Sequence, residues 1–188
     1  MIRKAIIVTA PSGAGKSTVV NALRQEFPVL EFSVSACTRP RRMTETEGKE
    51  YHFLSVESFL SRVAQGEFVE WEEVYPGCYY GTLRSELDRI TAGGKIPVFD
   101  VDVKGALSLK RYFGTGALAL FIRPPSLGVL EQRLRHRGTE PEESLRKRLD
   151  KAESELDFAG RFDQVILNED LAQAVAKAAE AVRKFLES

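Results

Sequence analysis

The sequence predicts an α/β fold in three layers, with a parallel core sheet covered by helices on both faces. Three observations predict it. Short, continuously apolar runs recur along the chain, as strands buried on both faces require. Helical patterns separate those runs, which is the signature of βαβ units. The 188 residues and the 43% apolar fraction suit one domain with a substantial core.

Ala5-Ile6-Ile7-Val8 is the first apolar run. Val19, Val20, Leu23 and Phe27 then recur at helical spacing, and Pro28 stops that helix. Ile96-Pro97-Val98-Phe99-Asp100-Val101 and Leu118-Ala119-Leu120-Phe121-Ile122 are further strands, and Gln164-Val165-Ile166-Leu167 is the last. Helical patterns lie around 103–112, 127–137 and 142–158. The chain ends in an amphipathic helix with Leu171, Val175, Ala178, Val182 and Phe185 on one face. Two stretches depart from this alternation. Residues 32–93 carry half-polar strands (Tyr51-His52-Phe53 and Phe68-Val69-Glu70-Trp71) and read as a small mixed α/β insertion. Residues 133–148 are dense in charge and read as a helical lid. The core is then about 1–31, 94–132 and 149–188 of a single domain.

Composition excludes several classes. Lys plus Arg and Asp plus Glu are 27 each, so no overall charge draws the chain to nucleic acid or a membrane surface. No stretch approaches the roughly 20 apolar residues that span a bilayer. Cys37 and Cys78 have neither metal-ligand spacing nor a disulfide framework. The start carries no signal-peptide pattern, so a cytoplasmic protein with reduced thiols is expected. A homo-oligomer is compatible with the sequence.

Ala10-Pro11-Ser12-Gly13-Ala14-Gly15-Lys16-Ser17-Thr18 follows the first strand and opens the first helix. The stretch has P-loop spacing except that Ala10 stands where the common pattern has Gly. Gly13 and Gly15 can take positive φ and let the backbone approach a ligand. The loop amides and the helix N-terminus then point at an anion. Lys16 reaches terminal phosphates, Ser17 offers a hydroxyl to Mg²⁺, and Thr18 adds a hydroxyl. A Gly-rich turn that merely precedes a helix is the bland alternative, and the buried strand plus Lys-Ser-Thr weigh against it. The fold is therefore of the P-loop NTPase type.

Ser35, Thr38, Arg39, Arg41 and Arg42 crowd around Pro40. Guanidiniums that close repel one another unless an anion sits among them, and their planar forks match phosphate oxygens. Tyr51 and Tyr80 add phenolic donors. A solvated basic loop is the rival reading of the cluster.

Here the chain resembles the guanylate kinases. The motifs are Ser33-Val34-Ser35-Ala36-Cys37-Thr38-Arg39-Pro40-Arg41-Arg42, Gly48-Lys49-Glu50-Tyr51-His52-Phe53, Phe68-Val69-Glu70-Trp71, Tyr79-Tyr80-Gly81-Thr82, Asp100-Val101-Asp102-Val103-Lys104-Gly105 and Arg137-Gly138-Thr139-Glu140. They keep the family's order over nearly the whole chain. Ala36-Cys37 departs from the small hydroxyl residues common in the first motif.

The resemblance implies an Mg²⁺-dependent kinase with ATP and GMP as substrates. It implies that Ser35, Arg39, Arg42, Tyr51 and Tyr80 hold the GMP phosphate, and that Glu70, Thr82 and Asp102 face guanine. Guanine offers two adjacent donors that a carboxylate can accept together, and adenine does not. Asp100, at a strand end, is assigned to the GMP side and, with Ser17, to Mg²⁺ through water. Asp102 also suits a helix cap. Arg133, Arg137 and Arg148 are implied lid arginines, acting with Lys16 and Arg39 in catalysis. Asn168 is implied to contact adenine. Two rivals are a kinase for another monophosphate, which Glu70 opposes, and a non-catalytic binding module, which would not need an intact P-loop. A GTPase switch lacks its Asn-Lys-x-Asp guanine reader.

Overall fold

The structure is a computed structural model that describes residues 4–136 and 142–188. The elements run β1 (Ala5–Thr9), α1 (Lys16–Glu26), β2 (Leu30–Phe32), β3 (Ser35–Cys37), β4 (Tyr51–Phe53), α2 (Val56–Ala64), β5 (Phe68–Tyr75), β6 (Cys78–Leu83), α3 (Arg84–Ala92), β7 (Ile96–Val101), α4 (Val103–Phe113), β8 (Ala117–Arg123), α5 (Leu127–His136), α6 (Glu142–Leu156), β9 (Gln164–Leu167) and α7 (Leu171–Glu187).

The core sheet has the order β2-β7-β1-β8-β9, and every pairing in it is parallel. β1 is central, with all five residues buried. Period-2 alternation divides its side chains between two layers. Ile6 and Val8 join Val98, Leu120 and Ile122 beneath α1, α5, α6 and α7. Ala5 and Ile7 join Phe99, Ala119 and Phe121 beneath α3 and α4. The predicted three-layer α/β fold is the observed one.

β9 is an edge strand, and of its residues only Ile166 is buried. Leu171 stands at the exposed rim of α7, because Ala174, Ala178, Ala179 and Val182 make the buried face.

The second sheet has the order β4-β3-β6-β5, with one parallel and two antiparallel pairings. Phe59 of α2 packs against Phe68 and Tyr79 beneath it. The two sheets meet at β2, which pairs with β7, and at α3, whose Leu87 packs with Phe99. Arg89 of α3 ties this junction by pairing with Glu86 and with Glu31 of β2. Among the described residues, no helix is long and apolar enough to cross a membrane.

Candidate active site

The loop between β1 and α1 takes the backbone its glycines allow. Gly13 has φ 90° and Gly15 φ 95°. No non-glycine residue described has positive φ, so Ala10 sits in ordinary backbone and its replacement of glycine strains nothing. Ala10, Pro11 and Ala14 are buried, with Ser12, Gly13 and Gly15 at the surface of the loop. A Cβ on Gly13 would come 2.9 Å from Leu134 of α5.

Parallel pairing of Val8 with Asp100 brings the end of β7 beside this loop. Lys16 Nζ lies 2.6 Å from Asp100 Oδ1 and donates to the Val101 carbonyl at 3.0 Å. Ser17 Oγ donates to Asp100 Oδ2 at 2.6 Å. Burial pulls the Lys16 ammonium down, but the Asp100 charge and hydrogen bond outweigh it and raise its pKa.

One cleft of about 270 Å³ runs from this loop across both sheets. Its loop end holds Ala10, Pro11, Ser12, Gly13, Gly15, Lys16 and Ser17. Its far wall holds Ser35, Arg39, Arg42, Tyr51 and Tyr80, and its base holds Glu70, Asp100 and Asp102. Arg148 of α6 closes one side. Sixteen predicted residues from seven separate stretches therefore share one cavity.

Arg39 forks onto Glu45, with Nη1 to Oε2 at 2.7 Å and Nη2 to Oε1 at 2.5 Å. Its guanidinium also lies 4.9 Å from the centre of the Tyr51 ring. The Arg39 fork and the Arg42 amide, which donates at 2.9 Å, hold the Glu45 carboxyl down to about 2. Burial raises the pKa of Tyr51 and Tyr80, so both remain O–H donors.

Glu70 is a buried carboxylate on β5, only 8% exposed. Thr82 Oγ1, across the β5–β6 pairing, donates to its Oε1 at 2.6 Å. Burial drives the Glu70 pKa up to about 7; the Thr82 bond opposes this, and the charges of Asp102 and Glu72 add to it. Thr82 is fully buried behind Glu70 and contributes through that bond. Asp102 does both things its position suggested. It caps α4, with Oδ1 accepting from the Gly105 amide at 2.9 Å, and it lines the cleft.

Thr18, Arg133 and Asn168 lie elsewhere. They line a second, shallow cleft of about 550 Å³ on the other side of Gly13 and Gly15, beside α5 and α7. Asn168 is 2% exposed and braces the phosphate loop, with Nδ2 donating to the Ala14 carbonyl at 2.7 Å. Arg133 Nη2 donates to the Asn168 carbonyl at 3.2 Å. Arg137 lies outside the described residues.

Two contributors were not read from the sequence. Glu45 gave no signal, being one acid in a charged loop. Lys151 did have one: it follows Arg148 by three on α6 and so shares its face. Lys151 Nζ lies 3.5 Å from Asp102 Oδ2, 3.5 Å from Glu155 Oε1 and 5.0 Å from the Tyr75 ring centre. It sits between the half-buried Asp102 and the buried Glu155, where the two acids need a cation.

The fold and this cleft define a P-loop kinase: a glycine-rich loop at a helix N-terminus faces an arginine-lined wall across one cavity. The guanylate kinase family model matches residues 2–185. A guanylate kinase of Salinibacter ruber is 50% identical over 99% of this chain and 98% of its own length. One from Bacteroides fragilis is 48% identical over 97% and 90%. The crystal structure of guanylate kinase from Anaplasma phagocytophilum superposes with TM-score 0.79 at 30% identity, covering 97% of this chain and 86% of that one. The chain belongs to the guanylate kinase family.

Proposed function

We propose that the chain transfers the γ-phosphoryl group of ATP to GMP or dGMP, giving ADP and the nucleoside diphosphate, with Mg²⁺. The observation that carries this reading is Glu70. A buried carboxylate, oriented by Thr82 and flanked by Asp102, sits in the same cleft as the phosphate loop. It matches the paired N–H donors of guanine, and a base without them would leave it buried and unpaired.

In this reading Lys16 leaves Asp100 for the donor phosphates, and the loop amides hold the β-phosphate. Arg39, Arg42, Tyr51, Tyr80 and Ser35 hold the acceptor phosphate. Arg148 neutralises the charge on the group in transit, and Arg133 and Arg137 join it only once the lid closes. Opposed cations set the two phosphates in line, and closure excludes water. Ser17 Oγ and Asp100 Oδ2, 2.6 Å apart, are hard oxygen donors that suit Mg²⁺. When bound there, Mg²⁺ neutralises charge on the β- and γ-phosphates. Among the described residues no cluster of three acid, His or Cys ligands exists, which fits an ion held mainly by phosphate and water. The second cleft, with Thr18 and Asn168, suits the donor's adenosine half.

The same reading divides the chain as the sequence does, with a GMP-binding insertion about 32–93 and a lid about 133–148 on the core. The physiological role is recycling of GMP in cytoplasmic purine metabolism. A coupled assay across GMP, dGMP, AMP, CMP and UMP tests the proposal. GMP and dGMP are turned over, and kcat/KM for AMP is lower by about 10³-fold or more. Comparable turnover of AMP or UMP would falsify the guanine site.

A further inference from the structure

We infer that Gly105 is a specificity-determining residue, whose missing side chain is the space in which the Glu70 and Asp102 carboxylates stand. Gly105 lies in the first turn of α4, is buried and lines the cleft. A Cβ built on it would come 2.9 Å from Glu70 Oε2, 3.2 Å from Asp102 Oδ1 and 3.6 Å from Glu70 Cδ. These three atoms are its nearest neighbours, and all belong to the two acids assigned to guanine.

The backbone does not explain the glycine. Gly105 is not among the residues with positive φ, and a helix favours alanine over glycine. The first-turn position asks only for an N–H to meet Asp102 Oδ1, which any residue but proline supplies. What remains is room. The other Glu70 oxygen is anchored, because Oε1 takes the Thr82 hydroxyl at 2.6 Å. A methyl pressing on Oε2 therefore turns the carboxylate about that anchor. Two parallel bonds to adjacent guanine donors need both oxygens in one plane with the base, so a turn of this kind breaks at least one of them.

The inference rests on the proposed role of Glu70, and the experiment separates the two. Gly105→Ala and Glu70→Gln are assayed in the full chain for KM and kcat with GMP, IMP and ATP, and for melting temperature. IMP keeps the ring N–H and lacks the exocyclic amine. Gly105→Ala raises KM for GMP about tenfold or more and narrows the GMP-to-IMP preference, from loss of a charge-assisted hydrogen bond. Its KM for ATP stays within about twofold, and its melting temperature is unchanged or higher. If Glu70→Gln leaves GMP binding intact, the reading of Glu70 fails and this inference with it. If Glu70→Gln weakens GMP and Gly105→Ala does not, the role of Gly105 alone is overturned. Equal losses for ATP and GMP overturn it too. Should Gly105→Ala fail to fold, Gly105→Ala/Glu70→Ala removes the clashing carboxylate and folds again. A double variant that stays unfolded refutes the steric account.

Discussion

Lys16 and Ser17 share one carboxylate: Asp100 gives Oδ1 to the ammonium and Oδ2 to the hydroxyl, each at 2.6 Å. The loop's cation is thus neutralised by a residue of the neighbouring strand, and an arriving phosphate must outbid a single acid rather than reorganise the loop. Lys16 also spans to the Val101 carbonyl, so its position is fixed by β7 in advance of any ligand.

Lys16→Ala removes the group proposed to reach the transferring phosphates. Steady-state kinetics should show kcat lower by about 10³-fold, the scale of one preorganised charged donor. Asp100 keeps its bond from Ser17, so the melting temperature moves by only a few degrees. A variant with near-normal kcat would remove Lys16 from the mechanism.

Ser17→Ala tests the hard-oxygen pair. Chelation by EDTA should abolish turnover of the parent chain, and Mg²⁺ should restore it. In the variant, half-maximal rate requires about tenfold more Mg²⁺, the loss expected for one supporting ligand. An unchanged Mg²⁺ titration would place the ion elsewhere.

Glu70 predicts two opposite pH dependences. Its folded pKa of about 7 lies above its ordinary 4.5, so the native state holds a proton that the unfolded chain releases. The resulting stability is complete below pH 4.5 and declines as pH rises to about 7, by about 3 kcal/mol at 1.36 kcal/mol per unit. Accepting from guanine requires the ionised form, so KM for GMP rises as pH falls below 7. Denaturant titrations of Glu70→Gln should lose this part of the pH dependence, and its KM for GMP should become nearly pH-independent.

The strands most legible in the sequence were those with continuous apolar runs, β1, β7 and β8. β2 and β3 were not, because each has three residues and Ser35-Ala36-Cys37 carries no alternation to read. Their partners, not their own propensity, make them strands. The site divided the same way. Arg39, Glu70 and Asp100 were reached through motifs that resemble a family's, since Glu70 on its own reads as an ordinary residue of a half-buried strand. Glu45, Gly105 and Lys151 act on those residues through distances of about 3 Å, which only the fold sets. Asn168 was singled out only by the resemblance, and its bond to the Ala14 carbonyl joins positions 154 apart.

Glu45→Gln tests whether Arg39 is prepositioned. The fork to Glu45 and the Tyr51 ring hold the guanidinium in place without a ligand. The amide keeps the size and loses the charge, so Arg39 becomes mobile. KM for GMP should rise about tenfold while kcat changes little, since on the proposed reading the phosphate still meets Arg39 once bound. The parent's Glu45 pKa, held at about 2, adds stability above pH 4.5 that fades as pH falls through 2, and acid titration of the variant should lack it.

Asn168 gives the last prediction, because two substitutions separate its hydrogen bond from its bulk. Nδ2 donates to the buried Ala14 carbonyl, and a Cβ on Gly15 would come 2.5 Å from the same nitrogen. Asn168→Ala leaves that carbonyl without its partner at a cost of about 1–3 kcal/mol, a fall of roughly 5 °C in melting temperature. KM for ATP should rise and KM for GMP should not, because the loosened loop is the one proposed to hold the donor. Asn168→Asp keeps the shape but points an anion at the Ala14 carbonyl, so at neutral pH it should be worse than alanine on both counts. Lowering the pH protonates the acid, turns it into a donor and recovers part of the loss. An aspartate variant that outperforms alanine at neutral pH would mean that Asn168 serves the loop by filling space and not by donating to it.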